Sequence, residues 1–191
     1  MERRPRVVID CDGPIFDSPQ QWIDNFRSFG DGRAIYFDEL EDWDTFAHHI
    51  GEDNFMRLCI HHELVAEIPF RENFETCVRR LSDHVDIVFV TALCGSKGRD
   101  IRKARLNALF PDIPCDFDTP RWELEADVLV DDYFDNVQRF METPGRTALV
   151  WSSPWNVDYR RAFTRLYDNY RWVWSWADAY TIIYDMYCCG V

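Results

Sequence analysis

Four short apolar runs, each stopped by a turn or a polar side chain, constrain this chain more than any other feature. Arg6 to Ile9 stops at Asp10-Cys11-Asp12-Gly13-Pro14, and Val85 to Val90 stops at Thr91, with Gly95, Ser96 and Gly98 beyond it. Ala126 to Val130 stops at Asp131-Asp132, and Thr147 to Trp151 at Ser152-Ser153-Pro154. Apolar runs ended in this way read as strands buried on both faces. Phe74 to Leu81 forms a helical pattern before the second run. Asp100 to Phe110 forms another after it, with Ile101, Ala104, Leu106, Ala108 and Leu109 as its apolar side. Val137 to Met141 and Tyr159 to Asp168 read as helices after the third and fourth runs. Strands that alternate with helices predict an α/β fold, a Rossmann-like parallel sheet with helices on both faces.

The stretch 18–66 breaks this alternation. It is rich in aromatics (Trp22, Phe26, Phe29, Phe37, Trp43, Phe46, Phe55) and contains no clear strand. It predicts a small helical cap inserted after the first strand, leaving residues 1–17 and 67–191 as the core. A chain of 191 residues has room for one core and such an insertion. The acidic cluster Asp38, Glu39, Glu41, Asp42 and Asp44 reads as a solvated cap surface.

A net charge of −13 argues against a polynucleotide partner, which needs a basic stripe to displace counterions. A small anion remains compatible if a divalent cation bridges it to carboxylates. The seven cysteines are odd in number and include no Cys-x-x-Cys pair, so they read as thiols in a reducing compartment. With no signal-like apolar stretch at the N-terminus and no membrane-spanning run, the expected location is cytoplasmic. The aromatic content leaves a homodimer paired through exposed apolar surface as an open arrangement.

In an open parallel sheet, ligands bind beyond the carboxyl ends of the strands. Three of the four runs end there in Asp10 and Asp12, in Thr91, and in Asp131 and Asp132. One Asp-x-Asp-Gly turn is commonplace and can serve as a helix cap; three strand ends of matched chemistry are not. Carboxylates brought so close repel unless a cation neutralises them, and Mg²⁺ suits a few carboxylates plus phosphate oxygens. A carboxylate beside such a cation can act as a nucleophile toward phosphorus.

With these residues in view, the chain resembles the haloacid dehalogenase superfamily, whose motifs are Asp-x-Asp-Gly, a strand-end Thr or Ser, and an Asp pair. Within it the chain is most similar to the 5'(3')-deoxyribonucleotidases, through Val7-Val8-Ile9-Asp10-Cys11-Asp12-Gly13 with Asp17, Val88-Phe89-Val90-Thr91, Ala126 to Asp132, and Ser175-Trp176-Ala177-Asp178. The resemblance implies that Asp10 attacks phosphorus and forms an aspartyl-phosphate. Asp12 would protonate the leaving oxygen and then deprotonate the hydrolytic water. Asp10, Asp131 and the backbone carbonyl of Asp12 would hold Mg²⁺, Asp132 would support them, and Thr91 would donate to the phosphate.

The family places a lysine on the phosphate upstream of the Asp pair. That register falls here on Arg121, in a chain whose lysines are only Lys97 and Lys103. Arginine keeps the charge but is not equivalent. Lys97, in the loop after Thr91, is the rival, with Lys103 a distant third. Ser18 stands where the family has a base-contacting aromatic, and the family's Pro-x-Pro-Gly is represented by Pro69-Phe70-Arg71-Glu72. Phe46 and Trp43 are the candidates to stack on a base or sugar, weighed against packing within the cap. His48-His49 and His61-His62 lack the spacing of a zinc site, and Cys11 reads as packing under the loop.

The expected function is Mg²⁺-dependent hydrolysis of a nucleoside monophosphate, a small-molecule nucleotide substrate. A sugar phosphate or another small phosphomonoester is the alternative substrate. A catalytically idle nucleotide-binding protein is the alternative from another class, although such a protein would be expected to have lost Asp10 or Asp12.

Overall fold

The computed structural model describes residues 3–29, 51, 53, 62–91, 96–156, 160 and 168–188. Six strands form one parallel sheet: β1 (Arg6–Asp10), β2 (Asp86–Val90), β3 (Cys115–Asp116), β4 (Val128–Asp131), β5 (Thr147–Trp151) and β6 (Tyr170–Val173). Their order across the sheet is β3-β2-β1-β4-β5-β6, the doubly wound arrangement that reverses direction beside its first strand. The helices are α1 (Ser18–Phe29), α2 (His62–Glu67), α3 (Phe74–Ser82), α4 (Ser96–Leu109), α5 (Phe134–Met141) and α6 (Trp176–Tyr187).

The central strands are apolar at nearly every position because both faces of the sheet are covered. On one face Val7, Ile9, Phe89, Val130 and Trp151 pack with Phe74 of α3, Leu106 of α4, and Trp176, Ala179 and Ile183 of α6. On the other, Val8, Val90 and Leu129 pack with Phe140 of α5, beside a neighbouring cluster of Val137, Ala148 and Val150. The Rossmann-like parallel sheet with helices on both faces is therefore observed. Among the described residues, no helix is long and apolar enough to cross a membrane.

The expected elements coincide with the observed ones at β1, β2, β5, α3, α4 and α5, with small shifts of boundary. The third run enters the sheet two residues later than its sequence suggests. The reason is Asp127, whose carboxylate accepts from the backbone N–H of Arg6 at 2.7 Å and from the Arg3 fork at 2.8 and 2.9 Å. It caps the strand's entry. Strands β3 and β6 and helix α6 complete the fold beyond the four expected runs.

Most of the expected cap lies outside the described residues, as do Trp43, Phe46, both histidines of His48-His49 and the candidate helix from Tyr159. The segments flanking the cap are described, and they are paired. Asp17 N–H donates to Pro69 O at 3.0 Å, and Arg71 N–H donates to Ile15 O at 2.7 Å. The ring of Phe16 stacks on that of Phe70, with centroids 4.8 Å apart. The exit toward residue 18 and the return before residue 70 are thus stapled side by side at the carboxyl edge of β1.

Candidate active site

Strand register builds the site. Ile9 pairs with Phe89 and Val130, and Asp10 pairs with Val90, so Asp10, Thr91 and Asp131 emerge together at the carboxyl edge. Asp10, Asp131 and Asp132 are all buried, and carboxylate oxygens from the three lie within 4.8 Å of one another. Burial pushes the Asp10 carboxyl up to about 8, with Asp131 and Asp12 adding to the rise and Arg121 opposing it. Burial likewise raises Asp131, and it raises Asp132 well above the usual carboxylate range, reinforced by Asp10 and Asp131.

Each carboxylate is held by its own donors. The Asp12 N–H donates to Asp10 Oδ2 at 3.0 Å. Arg121 donates to Asp10 Oδ1, from Nε at 3.0 Å and also from Nη2, and its Nε lies 3.0 Å from Asp131 Oδ2. Burial works against the Arg121 charge, but Asp10 and Asp131 more than offset it, so the guanidinium stays charged. Asp131 also accepts from the Tyr133 N–H at 2.8 Å and from Asn136 Nδ2 at 3.0 Å. Asp132 accepts from Ser153 Oγ at 3.2 Å. Asn156 fixes the end of β5 there. It donates to the carbonyls of Asp132 and Trp151, both at 2.8 Å, and accepts from Ser153 N–H at 3.0 Å.

Asp12 points elsewhere. Its Oδ1 accepts from Ser18 Oγ at 2.5 Å and from Arg102 Nη2, and its Oδ2 accepts from Thr91 Oγ1 at 2.9 Å. The turn that carries it is anchored from the far end of the chain. Trp176 Nε1 donates to Pro14 O at 2.7 Å, both groups being buried. The Ser-Trp-Ala-Asp stretch thereby acquires a physical role: Ser175 and Asp178 cap the start of α6 reciprocally and set Trp176 under the loop. Arg71 supports the same turn, donating from Nε to Gly13 O at 2.8 Å while pairing with Asp17 at 3.1 Å.

The residues suit a divalent cation. Four carboxylates (Asp10, Asp12, Asp131, Asp132) meet two guanidinium groups (Arg102, Arg121), and with all four ionised, four minus two leaves two formal negative charges for a cation to neutralise. All the donor atoms are hard oxygens, the set that Mg²⁺ prefers. Asp132, expected in a supporting position, has its carboxylate inside the cluster. Thr91 and Arg121, expected on a phosphate, rest on Asp12 and on Asp10 with Asp131. Lys97 is exposed on the first turn of α4, and among the described residues it makes no ion pair with the cluster. Cys11 is buried, and burial raises its thiol well above its usual range, which suits packing and not reactivity.

Sequence reasoning passed over Arg102, Asn136, Ser153 and Asn156, and it noted Ser18 only as a missing aromatic. The Ser152-Ser153-Pro154 stop was the signal for the β5 corner. An arginine among the helical positions of α4 gave no signal at all.

No protein-family model and no curated protein sequence matches the chain. Solved structures do match it in fold. A HAD-superfamily hydrolase of subfamily IA from Geobacter sulfurreducens is 17% identical, with a TM-score of 0.55 over 94% of this chain and 96% of that one. The magnesium-bound YfnB of Bacillus subtilis, assigned as a HAD hydrolase, is 11% identical with a TM-score of 0.59 over 95% and 99%. A protein from Bacteroides vulgatus assigned as a beta-phosphoglucomutase is 16% identical with a TM-score of 0.55 over 93% and 86%. The doubly wound sheet, with its acidic carboxyl edge, has the fold of the haloacid dehalogenase-superfamily hydrolases.

Proposed function

We propose that the chain is a Mg²⁺-dependent phosphomonoesterase that hydrolyses nucleoside monophosphates, 5'(3')-deoxyribonucleotides above all, through an aspartyl-phosphate. The observation that carries this reading is the convergence of Asp10, Asp131 and Asp132 at one sheet edge, with Asp12 and Thr91 beside them. Asp10, Asp131 and Asp132 would hold Mg²⁺, with the Asp12 backbone carbonyl as the resemblance implies, and the ion would supply charge neutralisation for the phosphate and the carboxylates.

The chain's own residues carry the rest. Asp10 attacks phosphorus as the bond to the leaving oxygen breaks, and the electron pair of that bond stays with the leaving oxygen. Asp12 delivers a proton to that oxygen. It then takes a proton from the water that attacks the aspartyl-phosphate, restoring Asp10 and releasing phosphate. Thr91 turns its hydroxyl from Asp12 to a phosphate oxygen, and Arg121 offers its remaining donors to the same group. The nucleotide part of the reading is supported by the sequence motifs, including Ser175 to Asp178. The fold shared with an assigned beta-phosphoglucomutase supports a sugar phosphate as the second reading.

The test is phosphate release from deoxyribonucleotides, ribonucleotides and sugar phosphates, with and without Mg²⁺. Deoxyribonucleotides should turn over fastest, and Asp10→Asn should lower turnover by several powers of ten, roughly 10³ or more. Faster turnover of sugar phosphates would replace the nucleotide reading with the second one. Near-normal activity of Asp10→Asn would end the covalent route.

A further inference from the structure

Arg102 is the least expected side chain in the molecule. It lies in the middle of α4, on the buried face that it shares with Gly98 and Leu106, and its side chain is 0% exposed. Its Nη2 reaches Asp12 Oδ1, its guanidinium carbon lies 4.9 Å from the centre of the Phe16 ring, and its buried Nε and Nη1 have no hydrogen-bond partner among the described residues. Among the described residues, Asp12 is the only carboxylate it pairs with. Burying a guanidinium for a single carboxylate is a poor route to stability, because an apolar side chain of the same volume fills such a site at lower desolvation cost. The arrangement has to be read for what it does to Asp12.

We propose that Arg102 is a positioning residue for Asp12, fixing the carboxylate that exchanges the proton with the leaving oxygen and with water. This rests on the acid–base role given to Asp12 above. Among the described residues three side-chain donors meet that carboxylate, and they are not alike. The hydroxyls of Ser18 and Thr91 rotate, and either can turn to a phosphate oxygen. Arg102 is a rigid fork that only donates, and its side chain is fully buried. When a substrate draws Thr91 away, Oδ2 is released while Oδ1 stays held by Arg102. The free oxygen is then aimed by a fixed partner, and the carboxylate left after proton donation keeps its counter-charge.

A helix-packing role and a positioning role separate through the leaving group. An alkyl oxygen, as in a nucleoside monophosphate, needs the proton from Asp12, whereas the nitrophenolate of p-nitrophenyl phosphate leaves without it. The experiment measures kcat/KM for both substrates with Mg²⁺ in the wild type, Arg102→Met, Arg102→Lys and Asp12→Asn, and in Asp12→Asn combined with Arg102→Met. Arg102→Met fills the buried site and Arg102→Lys retains the charge, so one is available if the other does not fold, as read by circular dichroism.

The expected result is a loss about a hundredfold larger on the alkyl than on the aryl substrate, the range of a lost proton-transfer group. In the Asp12→Asn background, Arg102→Met should no longer change the ratio between the substrates. Equal losses on both substrates, no loss on either, or a further change of ratio without the Asp12 carboxylate would overturn the proposal. If the wild type releases phosphate and Asp10→Asn does not, equal losses defeat the positioning role alone. If the wild type releases no phosphate from any substrate, the functional reading falls and takes this proposal with it.

Discussion

Gly13 offers the sharpest test of how the site is packed, because backbone strain and contact can be separated there. Its φ of +94° lies in the left-handed region, and a Cβ built on it would sit 2.5 Å from Asp132 Oδ2 and 2.7 Å from Asp132 Cγ. Gly145 has a similar φ of +83° but nothing within 4 Å of its Cβ position. Gly145→Ala should therefore cost only the backbone term, about 1–2 kcal/mol. Gly13→Ala carries that term and must also move the Asp132 carboxylate, which is buried and accepts from Ser153. Overpacking of this kind adds about 1–3 kcal/mol, for a total of roughly 2–5 kcal/mol. Urea unfolding of the two variants beside the wild type measures the difference, provided the slope stays constant. Phosphate release should fall in Gly13→Ala and hold in Gly145→Ala. Equal destabilisation of the two variants would refute the close approach of the Gly13 turn to Asp132.

Arg121→Met should reduce kcat/KM by about 10²–10³, the scale of a lost charge-stabilising donor, with Lys97→Met changing it far less; a larger loss at Lys97 would move the phosphate contact to the start of α4. Arg121→Met should also destabilise the metal-free protein by about 3–5 kcal/mol, because it strands Asp10 and Asp131. The pH dependence has a definite sign. Asp10 at about 8, with Asp131 and Asp132 also raised, makes the folded state hold protons that the unfolded chain releases in the ordinary carboxylate range. For Asp10 this stabilisation is complete below about pH 4 and is lost as pH rises through 8, on the order of a few kcal/mol, and Asp131 and Asp132 act in the same direction. The lowered groups Asp116 and Asp127 lose theirs only in more acid solution, below this window. Metal-free Tm should fall between pH 5 and 8.5, Mg²⁺ should raise it more at pH 8.5 than at pH 5, and Asp10→Asn should flatten the slope; a Tm that rises with pH without metal would contradict this. Trp176→Phe should cost about 1–3 kcal/mol in chemical denaturation by leaving the buried Pro14 carbonyl unpaired, and an unchanged midpoint would show that the turn is held by something else.

What could be read in advance follows the strength of the burial signal. The central strands announced themselves because burial on both faces requires continuous apolar runs, and their last residues named the site. Strand β3 has two residues and too little length for any pattern, while Tyr170-Arg171-Trp172-Val173 places an exposed arginine in an edge strand. Asp10, Asp12, Thr91 and Asp131 were legible because position at a strand end is a one-dimensional property. Arg102, Ser153 and Asn156 were not, because their partners lie in other elements and only the packed fold brings them together. An arginine in a helical stretch with Arg99, Lys103 and Arg105 reads as solvated, and only the contact with Asp12 distinguishes it.

The two arginine–aspartate pairs also differ in what a substrate can do to them. Arg121 keeps 11% of its side chain exposed and spreads its donors over Asp10 and Asp131, whereas Arg102 has none exposed. Under the proposed function, an entering phosphate would bring negative charge to the edge of the sheet and compete with carboxylates for the Arg121 donors, while those of the fully buried Arg102 would stay on Asp12. Were a phosphate to recruit Arg121, Asp10 would lose part of the contact that occupies Oδ1, and under the proposed function that oxygen would be free to attack. Asp12 keeps its partner throughout. In our reading the site has one arginine whose exchange of partners accompanies substrate arrival and one whose constancy keeps the proton-transferring oxygen in register. This accounts for Arg121 being matched by sequence to a phosphate ligand while resting on Asp10, the proposed nucleophile.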